Sequence, residues 1–318
     1  MKNNMKLIKG IGKIPGILML GPLVLGLLIN SVFPAALSIG GFTSELFKNG
    51  GATLMALFLF CSGTTIRFSA AGRPLVKGAV FIVSKFIFAA LITLLVYRFF
   101  GFDGILGLTP LALIPAITNT NGALYIILVE NYGEESDPLS FLPLLISEGP
   151  FLTLIVLNLI MPSAISSVAI FSMVVPLLTG MILGNFNIRI SEFFSGGMQI
   201  LIPFLGFNVG ASLNFNSVIE AGLPGFFLGL FVLIVFSAGG YFLNNLFSGK
   251  RTVAGAALGT TAANSVMTPP AVALVLPGIV PYVSAASTQL AAATLISSLL
   301  CPVVMLLLDK RLINKNAA

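Results

Sequence analysis

The 318-residue chain contains no histidine and only two cysteines, Cys61 and Cys301, and just 8% of its residues are charged. Both cysteines lie inside apolar runs, so there is no Cys-x-x-Cys pair, no metal-ligand spacing and no disulfide framework. They read as packing residues compatible with lipid. With no histidine and a single acid at the centre of a run, the sequence offers no paired carboxylates and no nucleophile beside a base, which argues against an enzyme. Soluble domains carry roughly a quarter charged residues. Here 57% of residues are hydrophobic and the mean hydropathy is +1.06. The composition is that of an all-α polytopic membrane protein. The formal charge of +6 does not point to nucleic acid, because the basic residues fall in short loops between apolar runs.

Ten apolar runs follow in order, most near the 20 or so residues a helix needs to cross a bilayer. They are Ile14 to Phe33, Gly51 to Phe68, Leu75 to Tyr97, Gly104 to Val129, Leu139 to Met161, Val168 to Phe186, Gly197 to Leu213, Leu223 to Leu246, Val253 to Val275 and Val280 to Leu308. Lys2, Lys6 and Lys9 imitate the start of a signal peptide, but the first run is long enough to span, so it reads as a first membrane helix. The connection Pro34 to Gly50 is the longest and is expected to hold a short helix. The tail after Leu308 is too short for a soluble output segment, which argues against a sensor.

Alternating the spans puts thirteen of the sixteen Lys and Arg residues on the side of the N-terminus: Lys2, Lys6, Lys9, Lys13, Arg67, Arg73, Lys77, Arg189, Lys250, Arg251, Lys310, Arg311 and Lys315. Lys48 and Arg98 fall on the other side, and Lys85 lies within a span. This asymmetry predicts an even number of spans with both termini cytoplasmic. Glu130, Glu134, Glu135 and Asp137 share that side and are expected to form a solvated loop.

Ten spans divide into two five-helix halves, 1–163 and 164–318, and the sequence carries traces of the repeat. Phe60-Cys61-Ser62-Gly63-Thr64-Thr65-Ile66-Arg67-Phe68 aligns without gaps with Phe207-Asn208-Val209-Gly210-Ala211-Ser212-Leu213-Asn214-Phe215, and Pro22-x-x-x-Gly26 with Pro176-x-x-x-Gly180. Because five is odd, the second half is expected to be inverted in the membrane.

Polar residues in the runs carry the functional expectations. Thr118, Asn119, Thr120 and Asn121 stand together between Pro115 and Gly122, and Thr260 to Pro270 forms a second polar, Pro-containing tract with Asn264, Ser265 and Thr268. Interrupted helices at membrane depth are tolerated only where protein buries them or where they line a cavity. Two of them in corresponding halves point to the binding site of a secondary transporter. Their uncharged hydroxyls and amides suit a hydroxylated solute, and half-helix N-termini suit a carboxylate. Carbonyls at such breaks can also hold sodium. Glu148, in Ser147-Glu148-Gly149-Pro150, is costly as an ion at a helix centre and is the first candidate proton carrier. Lys85, midway through the third run, is expected to pair with an acid, and Arg67 marks the cytoplasmic edge of the second.

At these residues the chain resembles the 2-keto-3-deoxygluconate permeases. The resemblance runs from Lys13-Ile14-Pro15-Gly16 through Thr120-Asn121-Gly122-Ala123-Leu124-Tyr125 and Gly149-Pro150 to Glu192-Phe193-Phe194-Ser195 and Leu201-Ile202-Pro203-Phe204, nearly the whole chain. It implies uptake of 2-dehydro-3-deoxy-D-gluconate with protons across the bacterial cytoplasmic membrane, with no cofactor. The family is similar to the bile-acid sodium symporters, which implies a panel of spans 1, 2, 6 and 7, a core of spans 3–5 and 8–10, and crossed broken helices four and nine. Read from the polar tracts and the charges at membrane depth, the expected substrate-binding set is Thr118, Asn119, Thr120, Asn121, Gly122, Asn264, Ser265 and Thr268, with Glu148 and Lys85 in proton coupling. The chain departs from the family pattern at Thr118 and Ser147, where that pattern has acids. A sodium-coupled carrier of another small organic anion on the same scaffold is the alternative.

Overall fold

The structure, a computed structural model, describes residues 17–66, 72–162, 166–213, 215–248 and 251–317. Lys2, Lys6, Lys9, Lys13 to Gly16, Arg67 and Lys250 lie outside the described residues. No β-strand occurs among the described residues, whose sheet-like pairing is limited to a bridge between Ile105 and Leu108. The main helices are α1 Ile17–Val32, α2 Gly51–Thr65, α3 Arg73–Phe100, α4 Pro110–Thr118, α5 Gly122–Tyr132, α6 Phe151–Ile160, α7 Ser167–Phe186, α8 Ile188–Gly210, α9 Phe215–Phe247, α10 Thr268–Ala273 and α11 Val280–Ala317.

Five segments among the described residues are long and apolar enough to cross a membrane: Arg73–Asp103, Pro110–Tyr132, Ile188–Gly210, Ala221–Phe247 and Pro277–Lys310. The pair Asp137–Glu148 and Phe151–Ile160, bent by 52° at its break, adds a sixth if it is one broken span and not a re-entrant loop. Val76, Val83, Ile87, Leu91 and Leu95 form an exposed apolar stripe along α3, and Phe226, Phe227, Ile234 and Phe242 project from α9, surfaces suited to lipid. The chain is a helical membrane protein.

The remaining expected runs are shorter or interrupted, for identifiable reasons. Val253 to Val275, expected as one run, consists of the 3₁₀ turns Ala254–Leu258 and Ala263–Met267 followed by α10. Leu139 to Met161 is two 3₁₀ turns, Asp137–Phe141 and Pro143–Glu148, then α6. Pro138, Pro143 and Pro150 each lack the N–H that an α-helix needs, and Gly149 is extended at φ −110°, ψ −176°. The connection after α1 holds the short helical turns Pro34–Ser38, Gly41–Ser44 and Glu45–Asn49.

The helices pack in two groups. In one, α1 lies against α8, α2 against α7, and α8 against α2. In the other, α9 lies against α11 and against Ala254–Leu258, and α3 packs on α4, α6 and the 3₁₀ pair 137–148. Glycines let backbones meet in the first group, as expected where packing rather than hydrophobicity joins membrane helices. Gly63 faces the backbone of Leu177 and Met181, and Gly210 faces Leu23 and Leu27 in the same way. Gly180 faces Phe60 and Thr64, as Gly26 faces Phe207 and Ala211. These contacts pair residues that the two sequence alignments make equivalent.

A methyl group at Gly210 would overlap the Leu23 carbonyl, whereas among the described residues nothing lies within 4 Å of the position it would take at Gly196 on the same helix. Gly210→Ala is therefore expected to destabilise the protein by ~1–3 kcal/mol through overpacking. Thermal unfolding in detergent checks this: a lowered midpoint for Gly210→Ala beside an unchanged or raised one for Gly196→Ala is expected, and equal midpoints would contradict the packing.

Candidate functional site

The two polar tracts meet. α4 ends at Thr118, whose hydroxyl donates back to the Ile114 carbonyl at 2.9 Å and to Asn119 Oδ1 at 3.0 Å. α5 starts again at Gly122, capped by Asn121 Oδ1, which accepts from the Leu124 amide at 3.2 Å. Across the gap, the Ala262 amide donates to the Asn119 carbonyl at 3.1 Å, the Thr261 hydroxyl to the Ala116 carbonyl at 2.9 Å, and the Asn121 amide to Thr260 Oγ1 at 3.3 Å. Asn121 Nδ2 donates to Ser298 Oγ of α11 at 3.1 Å. Each break thus supplies donors for the other, which is how interrupted backbone is held away from water.

Beside this junction a cavity of about 560 Å³ opens between the two helix groups. Leu18 and Met19 of α1, Phe58 and Thr65 of α2, and Met198, Gln199 and Ile202 of α8 form one wall. The other comprises Asn121, Gly122, Ala123 and Ile126, apolar residues of the 3₁₀ pair, Glu148, and Ala262 to Asn264. An apolar lining with a few convergent polar groups is the usual make-up of a small-molecule site. The amides of Gly122 and Ala123, in the first turn of α5, have no partner within their own helix and carry its positive end. No lysine or arginine lines the cavity among the described residues. A smaller cavity of about 170 Å³ lies at the other end of the same seam, lined by Gly51, Asn208, Ser212 and Met267 among others.

Glu148 joins the groups. The Ser62 hydroxyl of α2 donates to its Oε2 at 3.1 Å, and Asn264 Nδ2 donates to its backbone carbonyl at 3.1 Å. Ser62 is fully buried, and Glu148 is partly exposed at the cavity wall. One hydrogen bond to a carboxylate thus crosses the seam.

Of the residues expected at the site, the structure brings Asn121, Gly122, Asn264 and Glu148 to the cavity. Thr118, Asn119, Thr120, Ser265 and Thr268 are buried behind it and do not line it. Thr120 Oγ1 accepts from Lys85, and Ser265 Oγ donates to the Ala262 carbonyl at 2.6 Å. Asn119 Nδ2 and Thr268 Oγ1 are buried without a hydrogen-bond partner among the described residues.

Two expectations are corrected. Lys85 does not pair with an acid: no carboxylate lies within 4 Å of it among the described residues, and its ammonium instead meets Thr120 Oγ1 and the Leu258 carbonyl. The acidic cluster is not wholly a solvated loop. Asp137 is buried, forms an ion pair with the buried Lys77, and accepts from the Glu134 amide at 3.1 Å. Phe81, Tyr125 and Phe141 pack within the same apolar cluster, and this surrounding folds the turn inward. Ser62, Thr65 and Gln199 were missing from the expected set. Thr65 sits opposite Ser212 in the repeat alignment, and Gln199 is an amide inside an apolar run, so both carried a signal; Ser62 became visible only through Glu148.

The profile of the family described as 2-keto-3-deoxygluconate permease matches residues 8–314. The chain is 39% identical over 302 residues to 2-keto-3-deoxygluconate permease 1 of Salmonella typhimurium, covering 94% of each chain. It is 33% identical over 318 residues to the 2-keto-3-deoxygluconate permease of Pectobacterium carotovorum, covering 98% of this chain and 100% of that one. To the Bacillus subtilis 2-keto-3-deoxygluconate permease it is 32% identical over 318 residues, covering 98% and 96%.

Breaking the buried pair by Asp137→Ala leaves Lys77 without its counter-charge, which is expected to cost about 3–5 kcal/mol. Lys77→Met combined with Asp137→Leu should recover much of that loss. Thermal unfolding of the single and double variants reads the difference, and a stability for Asp137→Ala equal to the parent would contradict the pairing.

Proposed function

The chain belongs to the 2-keto-3-deoxygluconate permease family, whose members are transporters and not enzymes, and from this premise we propose that it imports 2-dehydro-3-deoxy-D-gluconate with protons by alternating access. The observation that carries this reading is the position of Glu148, on the wall of a cavity between two helix groups and hydrogen-bonded across the seam to Ser62. The substrate is a carboxylate bearing hydroxyls. Its carboxylate seats on the first-turn amides of α5 at Gly122 and Ala123, and its hydroxyls bond Asn121, Asn264, Thr65 and Gln199. Thr118, Asn119, Thr120, Ser265 and Thr268 hold the breaks in shape behind it.

The groups are read as a panel (α1, α2, α7 and α8) and a core (α3 to α6 and α9 to α11), within inverted halves 1–163 and 164–318 that together give ten spans. The backbone contacts of Gly63 are equivalent to those of Gly210, and those of Gly180 to those of Gly26, which supports the repeat. The Lys and Arg count supports cytoplasmic termini in a bacterial inner membrane. On that topology the larger cavity opens to the cytoplasm and the smaller one marks the closed outer end of the seam. A proton on Glu148 removes a charge that an apolar seam disfavours, so the loaded core moves past the panel; loss of the proton inside frees the substrate. A ligand shifts such an equilibrium only by binding its two states differently, so substrate without the proton moves the core poorly.

Uptake of labelled 2-keto-3-deoxygluconate into proteoliposomes tests this, with inward proton and sodium gradients compared at equal membrane potential. Accumulation driven by protons alone is expected. Glu148→Gln should lose uphill accumulation while keeping exchange of substrate across the membrane. Sodium-driven accumulation, or normal accumulation by Glu148→Gln, would contradict proton coupling through this residue.

A further inference from the structure

Lys85 is 1% exposed, lines neither cavity, and has no carboxylate within 4 Å among the described residues. An ammonium has three hydrogens to place, and each has a destination. One meets Thr120 Oγ1 of the first break at 2.6 Å. A second meets the carbonyl of Leu258, the last residue of the 3₁₀ turn leading to the second break, at 3.2 Å. The third side of the ammonium faces the ring of Phe236 on α9, 5.3 Å from its centroid. On α11 the buried Cys301 thiol donates to the Ala256 carbonyl at 3.6 Å. Lys85 therefore spans the two interrupted segments from behind the cavity.

These partners, a hydroxyl and a backbone carbonyl at the ends of interrupted helices, are the kind of oxygens that bind a sodium ion in transporters. The neighbouring carbonyls are already taken by protein donors. Ala116 accepts from the Thr261 hydroxyl, Asn119 from the Ala262 amide, Ala257 from the Thr260 hydroxyl at 3.1 Å, and Ala256 from the Ser237 hydroxyl at 2.9 Å. We infer that Lys85 is a tethered cation that fills the crossing of the two breaks in place of a metal ion, making sodium unnecessary for holding the transport site. Its charge complements the negative C-terminal ends of the interrupted segments. Lys85 is a positioning residue: it acts on the substrate through the geometry of Thr120 and Asn121.

This inference deepens the carrier reading and rests on it for its link to transport, so its test separates the two. Purified protein is unfolded thermally in choline, sodium or methylammonium chloride at constant ionic strength, for the parent chain and for Lys85→Ala. The parent is expected to melt at one temperature in all three salts. Lys85→Ala should melt lower in choline and be raised selectively by methylammonium or sodium, either of which can occupy the vacated oxygens. In proteoliposomes under a proton gradient, parent uptake should be equal in sodium and choline, and Lys85→Ala uptake should fall to background in choline. If Lys85→Ala cannot be recovered folded, Lys85→Gln goes through the same titrations, while the parent arm needs no variant. A sodium-specific rise for the parent, or a Lys85 variant indifferent to all three cations, would overturn the inference. Failure of the parent to take up 2-keto-3-deoxygluconate would count against the carrier reading and leave the melting result to decide the role of Lys85.

Discussion

An interrupted helix in a membrane exposes backbone groups that lipid cannot satisfy, and the architecture around the cavity follows from how this chain meets that demand. The two breaks are placed side by side, so that the amide of Ala262 and the hydroxyl of Thr261 serve carbonyls of the first while Thr260 serves an amide of it. Asn121 then acts three ways: it caps α5, binds Ser298 of α11 and forms part of the cavity wall. The start of α5, at Gly122 and Ala123, lies on the cavity wall, and first-turn amides are free of partners within their own helix, which supports the proposal that a carboxylate is received there.

Around this junction, contact within a helix group differs from contact across the seam. Within the first group, backbone lies on backbone at Gly26, Gly63, Gly180 and Gly210, contacts that leave little freedom. Across the seam, contacts are fewer and Ser62 to Glu148 is a hydrogen bond whose strength depends on the charge of the acid. A rigid group beside a titratable bridge supports the proposal that one body moves past the other when a proton is bound. Lys77 and Asp137 tie α3 to the turn preceding Glu148, which places the acid with the second group.

Local chemistry was readable in the sequence. Four polar residues between Pro115 and Gly122 announce a break, Gly149-Pro150 announces a discontinuity, and the aligned Phe-x-x-Gly segments announce equivalent helix contacts. What stayed hidden depends on pairs far apart in the chain. Nothing near Lys85 tells it to choose Thr120 and Leu258 over Glu148, and nothing near Asp137 tells it to turn inward to Lys77. The polar tract also reads as one uniform binding surface, whereas the backbone directs Asn121 to the cavity and Thr118 and Asn119 away from it; only three-dimensional placement separates lining from support.

The central claim, that substrate is seated in this cavity against the start of α5, is most directly measured by cysteine protection. Ala123 is exposed at the cavity wall, and the native Cys61 and Cys301 are buried, which keeps background labelling low. Ala123→Cys is treated with a membrane-impermeant maleimide in inside-out vesicles, with and without 2-keto-3-deoxygluconate. Labelling is expected to be slowed by the substrate and unaffected by a sugar lacking the carboxylate. Labelling that proceeds at the same rate with substrate present, in protein that still binds it, would contradict the placement of the site.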